Sequence, residues 1–311
     1  MNGSCVLPAG ITVFERGWLS SNNILVQGRH ACTLIDSGYA THARQTCALV
    51  EQALHGAPLD FLVNTHLHSD HCGGNAALQL RFPAAQTLIP PGQADAVRNW
   101  DTTALTYTTT GQTCERFRLD AVLRPGTEVR LGDLSWQVHA APGHDPHSVI
   151  LFEPVSQLLV SADALWENGF GVVFPELEGT AAFDEVAATL DLIERLRPRI
   201  VVPGHGRVFS SADGAIATAV ARARSRLEGF VQAPARHASH AAKVLLKFKL
   251  LELQQMSLRE LEAWALQTPY FGVVMARYFP ESEFVPWLES LVQGLVKSGA
   301  AAVSGDRILN G

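Results

Sequence analysis

The run His-Leu-His-Ser-Asp-His at positions 66–71 constrains this chain more than any other stretch. It places His66, His68, Asp70 and His71 in one short turn. Four such groups would repel and desolvate one another without a cation among them. Neutral imidazole with carboxylate suits zinc, iron or manganese, and softness and geometry leave the choice among them open. The preceding Phe61-Leu62-Val63-Asn64-Thr65 reads as a short buried strand. The following Cys72-Gly73-Gly74-Asn75 allows a tight turn into a helix beginning near Ala76. A ligand cluster between a strand end and a helix start demands a sheet whose rim carries the site.

The rest of the chain repeats that arrangement. His144 follows Trp136-Gln137-Val138-His139 and Ala141-Pro142-Gly143, Asp163 follows Leu158-Leu159-Val160, and His205 follows Arg199-Ile200-Val201-Val202. Asp36 follows Thr33-Leu34-Ile35 in the same way. Periodicity alone gives an α/β protein with strands alternating with helices.

With these residues in this order, roughly residues 10–215 resemble the metallo-β-lactamase superfamily. The resemblance implies an αββα sandwich and a site for two divalent metal ions, Zn2+ before Fe or Mn. His66, His68 and His144 would hold one ion, Asp70, His71 and His205 the second, and Asp163 would bridge them. Asp36 would support a ligand by hydrogen bonding. Two ions roughly 3.5–4 Å apart lower the pKa of a bound water to about 7, which makes metal-assisted hydrolysis the implied reaction. Asp70 would be catalytic, orienting the nucleophile and passing its proton to the leaving group. The β-lactamase branches do not use the bridging aspartate, so the pattern is nearer to glyoxalase II, acyl-lactone hydrolases and metal-dependent nucleases. Those relatives commonly carry Thr at the position of Asp145 and Gly at that of His147.

Composition sets limits. The 311 residues allow about two domains, and no apolar run is long enough to span a bilayer. Met1–Gly10 lacks the pattern of a secretory signal. The five cysteines, Cys5, Cys32, Cys47, Cys72 and Cys114, are odd in number and show no CxxC spacing, which fits reduced thiols in a cytoplasmic protein. Cys72 reads as a small packing residue. The net charge of −6 gives no footprint for a phosphate backbone.

The chain changes character after the His205 loop. The expected division is a catalytic domain over 1–232 and a small, mainly helical, winged-helix-like domain over 236–311, joined by a short linker at Gln232–Ala235. An Ala/Arg-rich helix covers 215–230, and Lys243–Leu253 reads as helix. Ser257 with Glu260 makes a capping box for a helix through Trp264. Tyr270–Tyr278 and Glu283–Lys297 read as helices closed by Gly299, and 300–309 as a hairpin. Residues 235–311 hold eight Lys and Arg against seven acids, which opposes nucleic acid as a partner. The region is expected to pack on the core, shape the pocket or form a homodimer contact.

The long connection 90–118 and the segment after Asp163 supply candidate pocket residues: Trp100, Tyr107, Trp166 and Phe170. Facing the metals, they would make an apolar, narrow pocket for an acyl chain or aryl group. Arg98 is the nearby basic candidate. The leading expectation is hydrolysis of a small ester, thioester or lactone. Two other readings remain open: a metal-dependent nuclease or phosphodiesterase, and a mononuclear-iron, persulfide dioxygenase-like oxygenase built on His66, His144 and Asp163.

Overall fold

The computed structural model describes residues 6–311. Cys5 and the first half of Met1–Gly10 lie outside the described residues. The first sheet runs in chain order: β1 (Ile11–Phe14), β2 (Asn23–Gln27), β3 (Cys32–Ile35), β4 (Phe61–Val63), β5 (Gln86–Ile89) and β6 (Ala121–Val122). β1 to β3 pair antiparallel, and β3 to β6 pair parallel. Parallel pairing needs crossovers; the helices Ala43–Leu54 and Asn75–Arg81 supply the first two, and the connection 90–120 the third. The second sheet is β7 (Glu128–Leu131), β8 (Leu134–Ala140), β9 (Val149–Glu153), β10 (Leu158–Ala162), β11 (Ile200–Pro203) and β12 (Phe209–Ser210), again in sequential order. Its one parallel pair, β10 with β11, is bridged by the helix Phe183–Leu196.

Period-2 alternation makes the layers. In β9, Val149 and Leu151 face the first sheet, while Ile150 and Phe152 face the helices Phe183–Leu196 and Ala215–Gln232. In the first sheet, Ile24, Val26, Ile35 and Val63 meet the second sheet, and Leu25, Leu34 and Leu62 meet Val50, Leu54 and Leu78 of the outer helices. Both faces of each sheet are therefore covered, which is why β9 and β10 read as continuous apolar runs. The expected αββα sandwich follows from this burial.

The C-terminal region is mainly helical, as expected. The supposed linker is one residue: the helix Ala215–Gln232 ends, Ala233 takes φ −141° and ψ 75°, and Pro234 opens the helix Pro234–Leu253. Proline needs no hydrogen-bond acceptor in a first helical turn, so the chain bends there without losing a bond. The Ser257 capping box forms as read, with reciprocal bonds to Glu260. The helices Leu258–Gln267, Pro269–Tyr278 and Phe284–Lys297 follow, then β14 (Ala301–Ser304) and β15 (Arg307–Asn310). One strand went unread: β13 (Gln255–Ser257), which pairs with β15. Three residues carry too little alternation to announce a strand. The core of this region takes in Val172 and Leu177 from the sandwich.

Candidate metal centre

The expected ligands emerge from the ends of β4, β8, β10 and β11, on one rim of the sandwich. Two non-glycine residues there adopt positive φ: Asp36 at +57°, just past β3, and Ala162 at +45°, before Asp163. Such conformations cost on the order of 1–3 kcal/mol and persist where the surroundings fix them. Asp36 shows what fixes it. Its carboxylate accepts bonds from the Thr65 amide (2.9 Å), the Thr65 hydroxyl (2.8 Å) and His71 Nδ1 (2.8 Å). Asn64 Nδ2 donates to the His71 carbonyl at 3.0 Å and ties down the turn Ser69–Cys72.

Seven side chains converge in two groups. His66, His68 and His144 form one, and Asp70, His71, Asp163 and His205 the other; within each, the ligand-type atoms lie within 4.8 Å of one another. Asp163 faces both, with Oδ2 at 3.4 Å from His144 Nε2 and Oδ1 at 3.4 Å from His71 Nε2. His205 Nε2 lies 3.0 Å from Asp70 Oδ2, and His68 Nδ1 lies 2.8 Å from His144 Nε2. Three buried nitrogens of the cluster have no hydrogen-bond partner: His205 Nδ1, which faces away from Asp70, and the pair His66 Nε2 and His71 Nε2. An orphaned buried polar atom is costly, and both nitrogens of that pair point among other ligand-type atoms.

The electrostatics agree with cation binding. Burial, reinforced by His71, His68 and His144, holds His66 far below the usual imidazole range, and burial with His68 brings His144 down to about 4. Both rings therefore keep lone pairs to offer. Burial pushes Asp163 up, yet His71 and His205 outweigh it and hold the carboxyl well below its ordinary range. Burial pulls His71 down, but Asp163, Asp36 and Asp70 raise it well above its usual value. A proton on His71 here does what a metal cation would do. The donor set of five imidazoles and two carboxylates, with its orphaned nitrogens, fits two divalent ions.

Glycine permits the close packing. A Cβ on Gly204 would stand 2.1 Å from Asp163 Oδ1, and one on Gly171 would stand 2.4 Å from His144 Nδ1. Asn22 secures the His205 loop, donating to the carbonyls of Pro203 (2.9 Å) and Gly206 (2.8 Å).

A cavity of about 380 Å³ opens above the cluster, exposing His68, Asp70, His144, Asp163 and His205. Among the four pocket residues expected from sequence, Trp166 lines it and donates from Nε1 to Asp163 Oδ1 at 3.1 Å. The other three do not. Tyr107 is buried with its hydroxyl 3.1 Å from Cys72 Sγ, and Trp100 packs against Tyr107 and Phe117 in a local core. That core turns Thr106, Thr110 and Gln112 toward the cavity instead. Phe170 is buried one layer behind the wall. Arg98 pairs with Asp95 on the exposed side of its own helix. Cys72 is buried as a packing residue, 3.9 Å from Cys114 Sγ. His147 packs its ring over Gly92, while Asp145 is buried with Oδ2 at 3.7 Å from His68 Nε2.

Several wall residues escaped the sequence. Trp18 stacks on His205 (centroids 5.4 Å, 12° between planes), and Phe174 meets His68 edge-on at 5.3 Å. Trp18 sits in a loop with no periodic pattern. The ceiling comes from the helix Pro234–Leu253, through His240, Val244, Leu245 and Phe248. Its apolar character was visible, but its position over a site built from residues far upstream, His66 to His205, was not. Arg226, on the helix Ala215–Gln232, completes the wall.

Comparison with known proteins agrees with this geometry. A hydroxyacylglutathione hydrolase from Anaeromyxobacter dehalogenans is 32% identical over 157 residues, which are 50% of this chain and 51% of that protein. This chain thus spans about half the length of that relative. A hydroxyacylglutathione hydrolase from Acidiphilium cryptum is 31% identical over 206 residues, 65% of this chain and 72% of the relative. A metallo-beta-lactamase family protein from Thermus thermophilus shares the fold with a TM-score of 0.55 at 18% identity, covering 98% of this chain and 100% of its own. Residues 16–205 match the family model of the metallo-beta-lactamase superfamily, and the chain belongs to that superfamily.

Proposed function

We propose that the chain is a metal-dependent hydrolase of a small ester, thioester or lactone. The observation that carries this reading is the placement of two ligand groups, joined through Asp163, on the floor of one largely apolar cavity. His66, His68 and His144 would hold one divalent ion, Asp70, His71 and His205 the other, with Asp163 between them; zinc is the first candidate. When bound, such ions lower the pKa of a coordinated water and polarise a carbonyl oxygen. The chain's own residues do the rest. Asp36 holds His71 Nδ1, so Nε2 is the nitrogen presented to the site. Trp166 fixes one oxygen of Asp163. Asp70, whose side chain keeps 13% exposure toward the cavity, is placed to take up a proton and return it to the leaving group. Trp18, Phe174 and Phe248 exclude water and select an apolar substrate body.

The similarity to hydroxyacylglutathione hydrolases supports thioesters within this class. The second group of four ligand-type residues supports two ions over a single-iron oxygenase site. The near-neutral C-terminal region and the apolar ceiling oppose a nucleic-acid substrate.

The test is hydrolysis by purified, metal-analysed protein of matched aryl esters, acyl thioesters, lactones, a β-lactam and an activated phosphodiester. Turnover of carbonyl substrates is expected, with kcat reduced by about 10²- to 10⁴-fold in Asp70→Ala. Turnover confined to the phosphodiester, or full activity in the variant, overturns the reading.

A further inference from the structure

Arg226 is set apart by where it stands: Arg16 and Lys247 are also half-buried and meet only neutral acceptors, but neither lines the cavity above the ligand cluster. Arg226 lines that cavity, and it is half-buried. It lies over the ring of Phe230 (5.4 Å) and that of Phe170 (5.9 Å), so its plane is held by aromatic faces. Nη2 donates to His240 Nε2 at 2.7 Å, and Nη1 makes a long contact of 3.4 Å with the Asn168 carbonyl. Burial, with Arg226, His237 and Lys243 nearby, brings His240 down to about 3, so that ring is a neutral acceptor. Among the described residues no carboxylate lies within ion-pair distance of Arg226. Glu167 lines the same cavity and makes no ion pair with it, whereas Arg224, two residues earlier, holds Asp191 and Glu194 on the outer surface.

A guanidinium has five N–H donors in a fixed fork, and here only neutral oxygens and nitrogens meet it. A cation drawn out of water without a counter-ion is destabilising, and a protein usually supplies the partner itself. With one bond from each terminal nitrogen, three of the five donors of Arg226 have no partner among the described residues, at the wall of a substrate-sized cavity. Phe170, expected from sequence to line the pocket, instead lies behind Arg226 as part of its support.

We infer that Arg226 is an anchor for a carboxylate carried by the substrate, so that the preferred substrates are anionic small esters or thioesters rather than neutral ones. The inference rests on the hydrolase reading above and narrows its substrate class. One planar fork matches a carboxylate in two-pronged fashion. A phosphate dianion would call for a second buried cation, and the other basic residue of the cavity, Arg207, is exposed at its rim. The carboxylate belongs either to the acyl part or to the leaving group, and the two sources are separable by experiment.

The experiment compares metal-loaded wild type, Arg226→Met and Arg226→Lys on two substrate pairs. One pair is the glutaryl thioester of N-acetylcysteamine and its terminal amide; the other is the acetyl thioester of 3-mercaptopropionate and its amide. In wild type the acid of one pair is preferred over its amide, and that pair identifies which part carries the charge. The acid-over-amide ratio of kcat/KM is expected to fall about 10- to 100-fold in Arg226→Met, with Arg226→Lys in between. An unchanged ratio in Arg226→Met, or no wild-type preference for either acid, overturns the inference. Should Arg226→Met not fold, the ratio in Arg226→Lys decides alone: a several-fold fall supports the anchor, and none overturns it. If wild type cleaves neither pair, the hydrolase reading is what fails, and calorimetry then tests the anchor by itself. The probes are 5-phenylvalerate and its amide. Tighter binding of the acid that is lost in Arg226→Met supports the anchor; an equal preference in both proteins overturns it, because the metals would then be holding the carboxylate.

Discussion

At the scale of single residues, the site is organised by groups that touch no substrate. Asp36 is the clearest. Its two oxygens meet three donors, and one of these, His71 Nδ1, decides which nitrogen of that ring faces the cluster. Replacing it with Asn keeps the shape but offers one acceptor oxygen in place of two. Asp36→Asn is expected to lower metal affinity about 10- to 100-fold, read by competition with a chromogenic chelator. Wild-type affinity would show that the turn alone orients His71. The ligand-type residues were legible because each is a polar side chain just beyond an apolar strand, a placement that core packing does not call for. The cavity wall was not. Trp100, Tyr107 and Phe170 look like Trp18 and Phe174 in sequence, and only the packing of residues 90–118 around Tyr107 and Phe117 turns Trp100 and Tyr107 away.

At the scale of elements, local chemistry was readable where a motif satisfies backbone groups. The Ser257 and Glu260 bonds start the helix Leu258–Gln267 as their spacing requires. Ser257→Ala removes an acceptor from the first turn and is expected to destabilise the protein by about 1 kcal/mol, measured by urea denaturation. No change in midpoint would mean that tertiary packing sets this terminus. The strand β13 ends on the cap residue Ser257 itself and was invisible, because its pairing with β15 joins residues some fifty positions apart. Likewise the supposed linker at Gln232–Ala235 has the composition of one, yet proline at a first helical turn restarts a helix as readily as it ends one.

At the scale of the whole molecule, the sandwich was legible from alternation and from the resemblance, and packing of the C-terminal region on the core was among the expectations, whereas the place where it docks was not legible. That docking is substantial. Val172 and Leu177 share a core with Leu245, Tyr270 and Leu288, and Phe248 meets the buried Tyr39 edge-on at 5.0 Å. Phe248→Ala is expected to destabilise the protein by about 3–5 kcal/mol, read by denaturant unfolding. It should also raise KM for apolar substrates, since the same ring walls the cavity. Unaltered stability and KM together would show that the region rests loosely on the sandwich.

The single-residue joint at Ala233 carries a consequence for how such a protein diversifies. The floor of the cavity is written almost entirely between residues 36 and 205, and much of its ceiling in one helix beyond the joint. Changes in His240, Val244, Leu245 or Phe248 alter what fits under the roof without disturbing a single ligand-type residue below. Reaction chemistry and the part of substrate choice not set by Trp18, Phe174 and Arg226 thus occupy separate paragraphs of the gene, and a library confined to that helix is where new specificities should be sought.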